Sequence, residues 1–221
     1  MPSLRIALPA LLALTLAACS DDTEFTEPGG MEAGVRVVNA TQSPMDVLLD
    51  GRVAVSGLGI AGLSPSLVVA PGTREVQLRS ATGATTTLAV SAIAGRTITT
   101  VVYPDTAARI AAQVLQDTGA VVPAGKSKLR VTHLAANAGA IDVWRTQPDW
   151  QTPTRVMFPF RYMATSSYLQ SDPGTWEVWI TPEGGTAKLA TTGAIDVPSG
   201  QRRTVVVLDS AGVTKLRVIE E

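Results

Sequence analysis

His133 is the only histidine in this chain of 221 residues. A catalytic triad or a histidine-based metal centre would need it beside a nucleophile or further ligands. It stands at the end of a short apolar run, where an earlier, similar segment has Asn39, and so reads as a structural polar residue. No His-Glu-x-x-His, paired Cys-x-x-Cys or Gly-x-Ser-x-Gly arrangement occurs. Gly125-Lys126-Ser127 ends like a phosphate-binding loop. However, five residues rather than four separate Gly119 from Gly125, Pro123 removes a backbone amide, and a strand follows instead of a helix. Asp46 and Asp142 take matching places in two halves of the chain, with Asp50 further along the first. Calcium takes six to eight oxygens, which two scattered aspartates per half do not supply. Glycosidases place two carboxylates in one cleft, and nothing singles out such a pair. We expect no catalytic residue, no metal and no cofactor.

The strongest chemical signal is Cys19. Arg5 and the amino terminus make a short positive start, Ile6–Ala18 is apolar apart from Pro9 and Thr15, and small residues follow. That is the plan of a secretory signal peptide, and the run is shorter than the roughly 20 apolar residues that span a bilayer as a helix. Leu16-Ala17-Ala18-Cys19 resembles the bacterial lipobox. The resemblance implies cleavage before Cys19 and lipid, palmitate among its acyl chains, on the new terminal residue. Cys19 is the only cysteine, so no disulfide forms within one chain and lipidation accounts for an otherwise unpaired exported thiol. Each buried methylene contributes about 0.8 kcal/mol, so three acyl chains hold far better than one. Ser20 in place of an aspartate favours the outer membrane under the best-known bacterial sorting rule. Losing Arg5 with residues 1–18 leaves 17 basic against 19 acidic groups and no basic block, which gives no footprint for nucleic acid.

The other asymmetry is aromatic. Trp144, Trp150, Trp176 and Trp179 all lie in the second half, with Phe158, Phe160, Tyr162 and Tyr168. Side chains alternate along a strand. If Ile141 and Val143 face a core, Trp144 faces out. With Trp176, Val178 and Ile180 inward, Trp179 points outward beside Glu177. Trp144, Trp150 (in an added loop) and Trp179 are the candidate binding surface, for sugar stacking or partner docking. The alternative is that they cover a domain junction or cap a sheet edge.

Positioning such residues falls to short β-branched runs. Residues 19–33 are acidic and glycine-containing and read as a flexible tether. Val35–Asn39, Met45–Asp50, Leu67–Ala70, Glu75–Arg79, Thr86–Val90 and Ile98–Tyr103 are predicted strands, punctuated by Pro44, Asp50-Gly51, Pro71-Gly72 and Gly95. Asp105–Gly119 alone would pass for a capped helix, but an internal repeat decides otherwise. Val35-Arg36-Val37-Val38-Asn39-Ala40 returns as Leu129-Arg130-Val131-Thr132-His133-Leu134, Met45-Asp46-Val47 as Ile141-Asp142-Val143, and Pro71-Gly72-Thr73-Arg74-Glu75-Val76 as Pro173-Gly174-Thr175-Trp176-Glu177-Val178. In the same order Arg109–Gln116 matches the closing strand Thr214–Glu221, so both are predicted strands. The repeats, about 90 residues each, give domains at 34–118 and 128–221 joined by 119–127. The second copy lacks the Asp-Gly turn and carries Gln147–Thr154 as extra loop.

The pattern Val-Arg-Val-Val-Asn-Ala, a proline turn, Met-Asp-Val-Leu-Leu-Asp-Gly and Ala-Pro-Gly before a strand resembles domain of unknown function 4397, over residues 35–221. The resemblance implies tandem immunoglobulin-like antiparallel β-sandwiches in an exported or lipid-anchored envelope protein, and no activity. The expectation is an all-β, non-enzymatic binding or structural module of the bacterial cell envelope. It would be held to a membrane, the outer more than the inner, by lipid on Cys19, with an envelope polysaccharide or protein as partner. The alternatives are a passive spacer or assembly component and an enzyme acting on envelope polysaccharide.

Overall fold

The computed structural model describes residues 31–115, 121–146 and 153–221. Cys19 and Trp150 lie outside the described residues. The first domain contains β1 (Ala33–Asn39), β2 (Met45–Leu49), β3 (Arg52–Leu58) and β4 (Leu67–Val69). It continues with β5 (Gly72–Ser80), β6 (Thr85–Ala92), β7 (Thr97–Pro104) and β8 (Ile110–Leu115). The second repeats the order with β9 (Ser127–Leu134), β10 (Ile141–Thr146), β11 (Thr154–Phe160) and β12 (Leu169–Ser171). It closes with β13 (Gly174–Pro182), β14 (Ala190–Val197), β15 (Arg202–Ser210) and β16 (Val213–Glu220). Ala33 and Ser127, assigned from sequence to the tether and the linker, are the buried first residues of β1 and β9.

Each domain is a sandwich of two four-stranded sheets. The sheets are β4-β1-β7-β8 and β3-β2-β5-β6 in the first domain, and β12-β9-β15-β16 and β11-β10-β13-β14 in the second. Val35, Val37, Met45, Val47, Val76, Leu78 and Val102 fill the first core. Leu129, Val131, Ile141, Val143, Trp176, Val178 and Val205 fill the second. The alanine-rich stretch is the strand β8, paired with β7 from Thr99↔Leu115 to Pro104↔Ile110.

Pairing is antiparallel except between β1 and β7 and between β9 and β15, which run parallel in equivalent registers, Val35↔Ile98 and Leu129↔Arg203. Five strands separate each of these partners along the chain, so no hairpin dictates their direction. β3 was not anticipated. Asp50 and Gly51 both take positive φ, 50° and 81°, as a two-residue hairpin turn requires, and the chain returns along β2 as an edge strand. Its residues are mostly exposed on both faces, which removes the alternation that marks a half-buried strand.

The two domains pack through their inner sheets. Val38, Ala40, Val101, Tyr103 and Leu115 of the first form one cluster with Leu134, Val206, Leu208 and Ile219 of the second. The central strands β1, β7, β9 and β15 of these two sheets are therefore buried on both faces, which explains the unbroken apolar run Val205-Val206-Val207-Leu208. Hydrogen bonds close the junction at both ends. Arg36 Nη2 donates to the Glu220 carbonyl at 3.1 Å, Gln42 Nε2 to the Asp209 carbonyl at 3.1 Å, and the Tyr162 hydroxyl to the Pro104 carbonyl. The repeat persists in detail. Arg36 reaches Thr99 Oγ1 at 3.3 Å, and its counterpart Arg130 reaches Thr204 Oγ1 at 2.7 Å.

Candidate functional site

Trp144 on β10 and Trp179 on β13 are direct cross-strand partners. Their inward neighbours Val143, Val178 and Ile180 belong to the core, so both indoles lie on the outer face of the outer sheet. Trp176 points inward, as alternation required. The indoles are parallel, 2° apart in plane, with centroids 6.3 Å apart, an arrangement contributing about 0.5–1.5 kcal/mol beyond burial. Trp144 Nε1 donates to Thr181 Oγ1 at 3.1 Å, which ties the ring to the neighbouring strand β13.

Cations cover this pair. Lys188 Nζ sits 4.2 Å from the Trp179 centroid and bonds Glu177 Oε1 at 3.2 Å. Arg155 lies 4.1 Å over Phe158 and 5.8 Å from Trp144, and its Nη1 bonds Asp142 Oδ2 at 3.0 Å. Trp179 is consequently only 7% exposed, whereas Phe158 is 57% exposed and Trp144 is half-buried. The sequence placed Trp179 on the correct side but as an open ring; Lys188 occupies the face that a sugar would need. Lys188 carried no sequence signal, because only folding brings the β13–β14 connection back over the sheet. The face is not at the domain junction, which the opposite sheet forms. In the first domain Leu48 and Gln77 pair at the same place, so the aromatic–cation ladder belongs to the second domain alone.

His133 is fully buried. Its Nε2 is 2.8 Å from the Gly139 carbonyl, which can only accept, and its Nδ1 accepts the Ala135 amide at 3.3 Å. Asn39 does the same, with Nδ2 donating to Ser43 O at 2.8 Å and Oδ1 accepting the Thr41 amide at 2.9 Å. The ring is thus a neutral strut. Burial, partly opposed by the Gly139 bond and Asp209, holds its pKa below the usual value of 6.5. The unfolded chain therefore takes up the proton first as pH falls. Stability from this residue is complete above pH 6.5 and is lost on descending toward the folded-state pKa, at no more than about 1.4 kcal/mol per pH unit. Backbone hydrogen bonds to Asp46, Asp50 and Asp105 and side-chain bonds to Asp172 and Glu177 hold these carboxyls below their ordinary values. Their losses come at lower pH. Urea midpoints between pH 7.5 and 5.5 are expected to fall for the native chain and to stay flat for His133→Asn.

The aspartates weighed for calcium are engaged structurally. Asp46 accepts Gly57 N at 2.9 Å and pairs with Arg79 at 2.9 Å, and Asp50 accepts Glu75 N at 2.9 Å and pairs with Arg74 at 3.1 Å. Asp142 pairs with Arg155 and accepts Gly184 N at 3.1 Å. Among the described residues no group of three His, Cys, Asp or Glu side chains is placed to hold a metal ion.

No curated protein matches this sequence. Several solved chains are similar to it. One is the Bacillus anthracis TIE protein, at 11% identity over 81% of this chain and 34% of that one, with a TM-score of 0.28. Another is a candidate cell adhesion protein of Bacteroides fragilis, at 12% identity over 95% of this chain and 92% of that one, with a TM-score of 0.22. This chain spans about a third of the length of the first, and such TM-scores add nothing to the fold already described. Residues 33–144, just over half of the chain, match the family described as "Domain of unknown function (DUF4397)". The match begins at β1, runs through the first sandwich and ends on Trp144 in β10, and the chain belongs to that family.

Proposed function

We propose that this protein is a lipoprotein of the bacterial cell envelope, anchored through Cys19, and that it acts as a non-enzymatic binding module. Its docking face is the outer sheet of the second domain. The single observation supporting that face is the ladder Asp142–Arg155–Trp144–Trp179–Lys188, built on a position where the first domain has Leu48 and Gln77. Half-buried Trp144, exposed Phe158 and the guanidinium of Arg155 form an aromatic and arginine surface of the kind that anchors partners. Lys188 over Trp179 favours docking by an envelope macromolecule over stacking of a sugar ring on that indole. Residues 19–32 would tether the body to the membrane, and Ser20 favours the outer one.

A passive spacer is the second reading, supported by the continuous core across the domain junction. Retention on immobilised envelope fractions separates the two. Replacing Trp144 by leucine, as in the first domain, together with Phe158→Ser is expected to weaken retention about thirty-fold, corresponding to about 2 kcal/mol for a lost aromatic anchor. Unchanged retention by every fraction would leave the spacer.

A further inference from the structure

At the mouth of the second sandwich, between its two sheets, Arg145 replaces a core residue. Its counterpart by register is Leu49, which packs on the first core. The first domain instead supplies a guanidinium from β5. Arg74 bonds Asp50 Oδ2 at 3.1 Å and the Ala70 carbonyl at 2.9 Å. In the second domain that position is Trp176, whose Nε1 takes over the equivalent carbonyl, Asp172 O, at 3.1 Å. The counterpart of Asp50 is Thr146, whose buried hydroxyl has no hydrogen-bond partner. The guanidinium has thus moved to the neighbouring strand and the carboxylate has gone.

Arg145 is half-buried, lies 5.0 Å from the Trp176 centroid and donates to Ser171 Oγ across the mouth. Among the described residues no carboxylate pairs with it. Burial disfavours its charge, yet an arginine stays protonated, and a desolvated charge without a counter-ion costs stability. It lines a cavity of about 260 Å³ with Lys126, Thr154, Gln170, Ser171, Asp172 and Trp176. Lys126 is held at the rim by Asp172 at 2.5 Å. That volume falls below the roughly 300 Å³ at which drug-sized pockets begin, so it suits a single ring.

We infer that this cavity is a binding site for the carboxylated ring of an acidic sugar. Its carboxylate takes the place on Arg145 that Asp50 takes on Arg74, in the planar two-point geometry a guanidinium favours. The hydroxyls of Thr154 and Ser171 are suited to ring hydroxyls, which a simple dicarboxylate lacks. The site is independent of the outer-face reading, because Arg145 and Trp176 point to the opposite side of the sheet from Trp144 and Trp179.

The test is titration of the mature chain with glucuronate, glucose and glutarate, following the indole N–H signals of the tryptophans by NMR. Glucuronate is expected to shift the Trp176 signal saturably, with a dissociation constant of about 1 mM as befits one small ring. The Trp144 and Trp179 signals are expected to stay in place. Glucose and glutarate should bind at least ten-fold more weakly. Arg145→Leu, which restores the first domain's residue, should abolish the shift while keeping or raising the thermal midpoint; Arg145→Lys, keeping the charge without the planar fork, should weaken it about ten-fold. No saturable shift, equal binding of glutarate, or full binding by Arg145→Leu would overturn the assignment.

Discussion

Replacing Val206 by aspartate is expected to separate the unfolding of the two domains. Val206 has no exposure and projects from β15 into the cluster that joins the inner sheets. A carboxylate there is buried in the apolar cluster of Val38, Val101 and Leu134, with only the exposed Arg217, its cross-strand neighbour on β16, as a nearby cation, and burying a charge in such a place costs several kcal/mol. All four tryptophans lie in the second domain, so fluorescence follows that domain, whereas far-ultraviolet circular dichroism follows both. In the native chain the two signals should report one coincident urea transition. In Val206→Asp they should diverge, because domains without a shared core melt independently. Coincident transitions in the variant would mean that the junction contributes little. Alkaline pH acts on the same junction. Burial, with Tyr103, Asp209 and Asp105 nearby, pushes the Tyr162 pKa up to about 12. Its contribution is complete below the ordinary tyrosine pKa of about 10 and is lost as pH rises through the folded value.

Cys19→Ala is expected to move the protein almost entirely from the membrane to the soluble fraction and to abolish labelling by palmitate. The effect is large because acyl chains contribute about 0.8 kcal/mol per buried methylene. Among the described residues no helix is long and apolar enough to cross a membrane. A Cys19→Ala chain that stays with the membrane would transfer the anchoring role to a protein surface. The folded body should be untouched, so its urea midpoint should match that of the native chain.

Strand content was legible in the sequence because most strands bury one face, and Met45-Asp46-Val47 and Trp176-Glu177-Val178 show the two-residue period directly. The repeat settled Asp105–Gly119, whose alanines are ambiguous alone. β3 escaped because an edge strand exposed on both faces has no period, although the Asp50-Gly51 turn was a usable signal for a returning strand. The parallel pairing of β1 with β7 lies beyond local pattern, since it depends on which strands meet after a long excursion. The domain junction was half-legible: the run Val205–Leu208 is too continuous for a strand with one wet face. At the candidate site alternation placed Trp144 and Trp179 outward and Trp176 inward. It did not show Lys188 closing over Trp179, because that contact depends on the path of a loop. The missing counter-ion of Arg145 emerges only when its register is compared with Leu49, Asp50 and Arg74.

The most direct test of the outer-face reading is acrylamide quenching of tryptophan fluorescence in a Trp150→Phe chain. Trp176 and Trp179 are buried, so the quenchable emission then comes mainly from Trp144. Partial quenching is expected from the chain alone. A clear loss of that quenching should follow when the envelope fraction holding its partner is added, be it peptidoglycan, surface polysaccharide or envelope protein. Quenching unchanged by all three would contradict a docking role for this face and leave the protein a spacer.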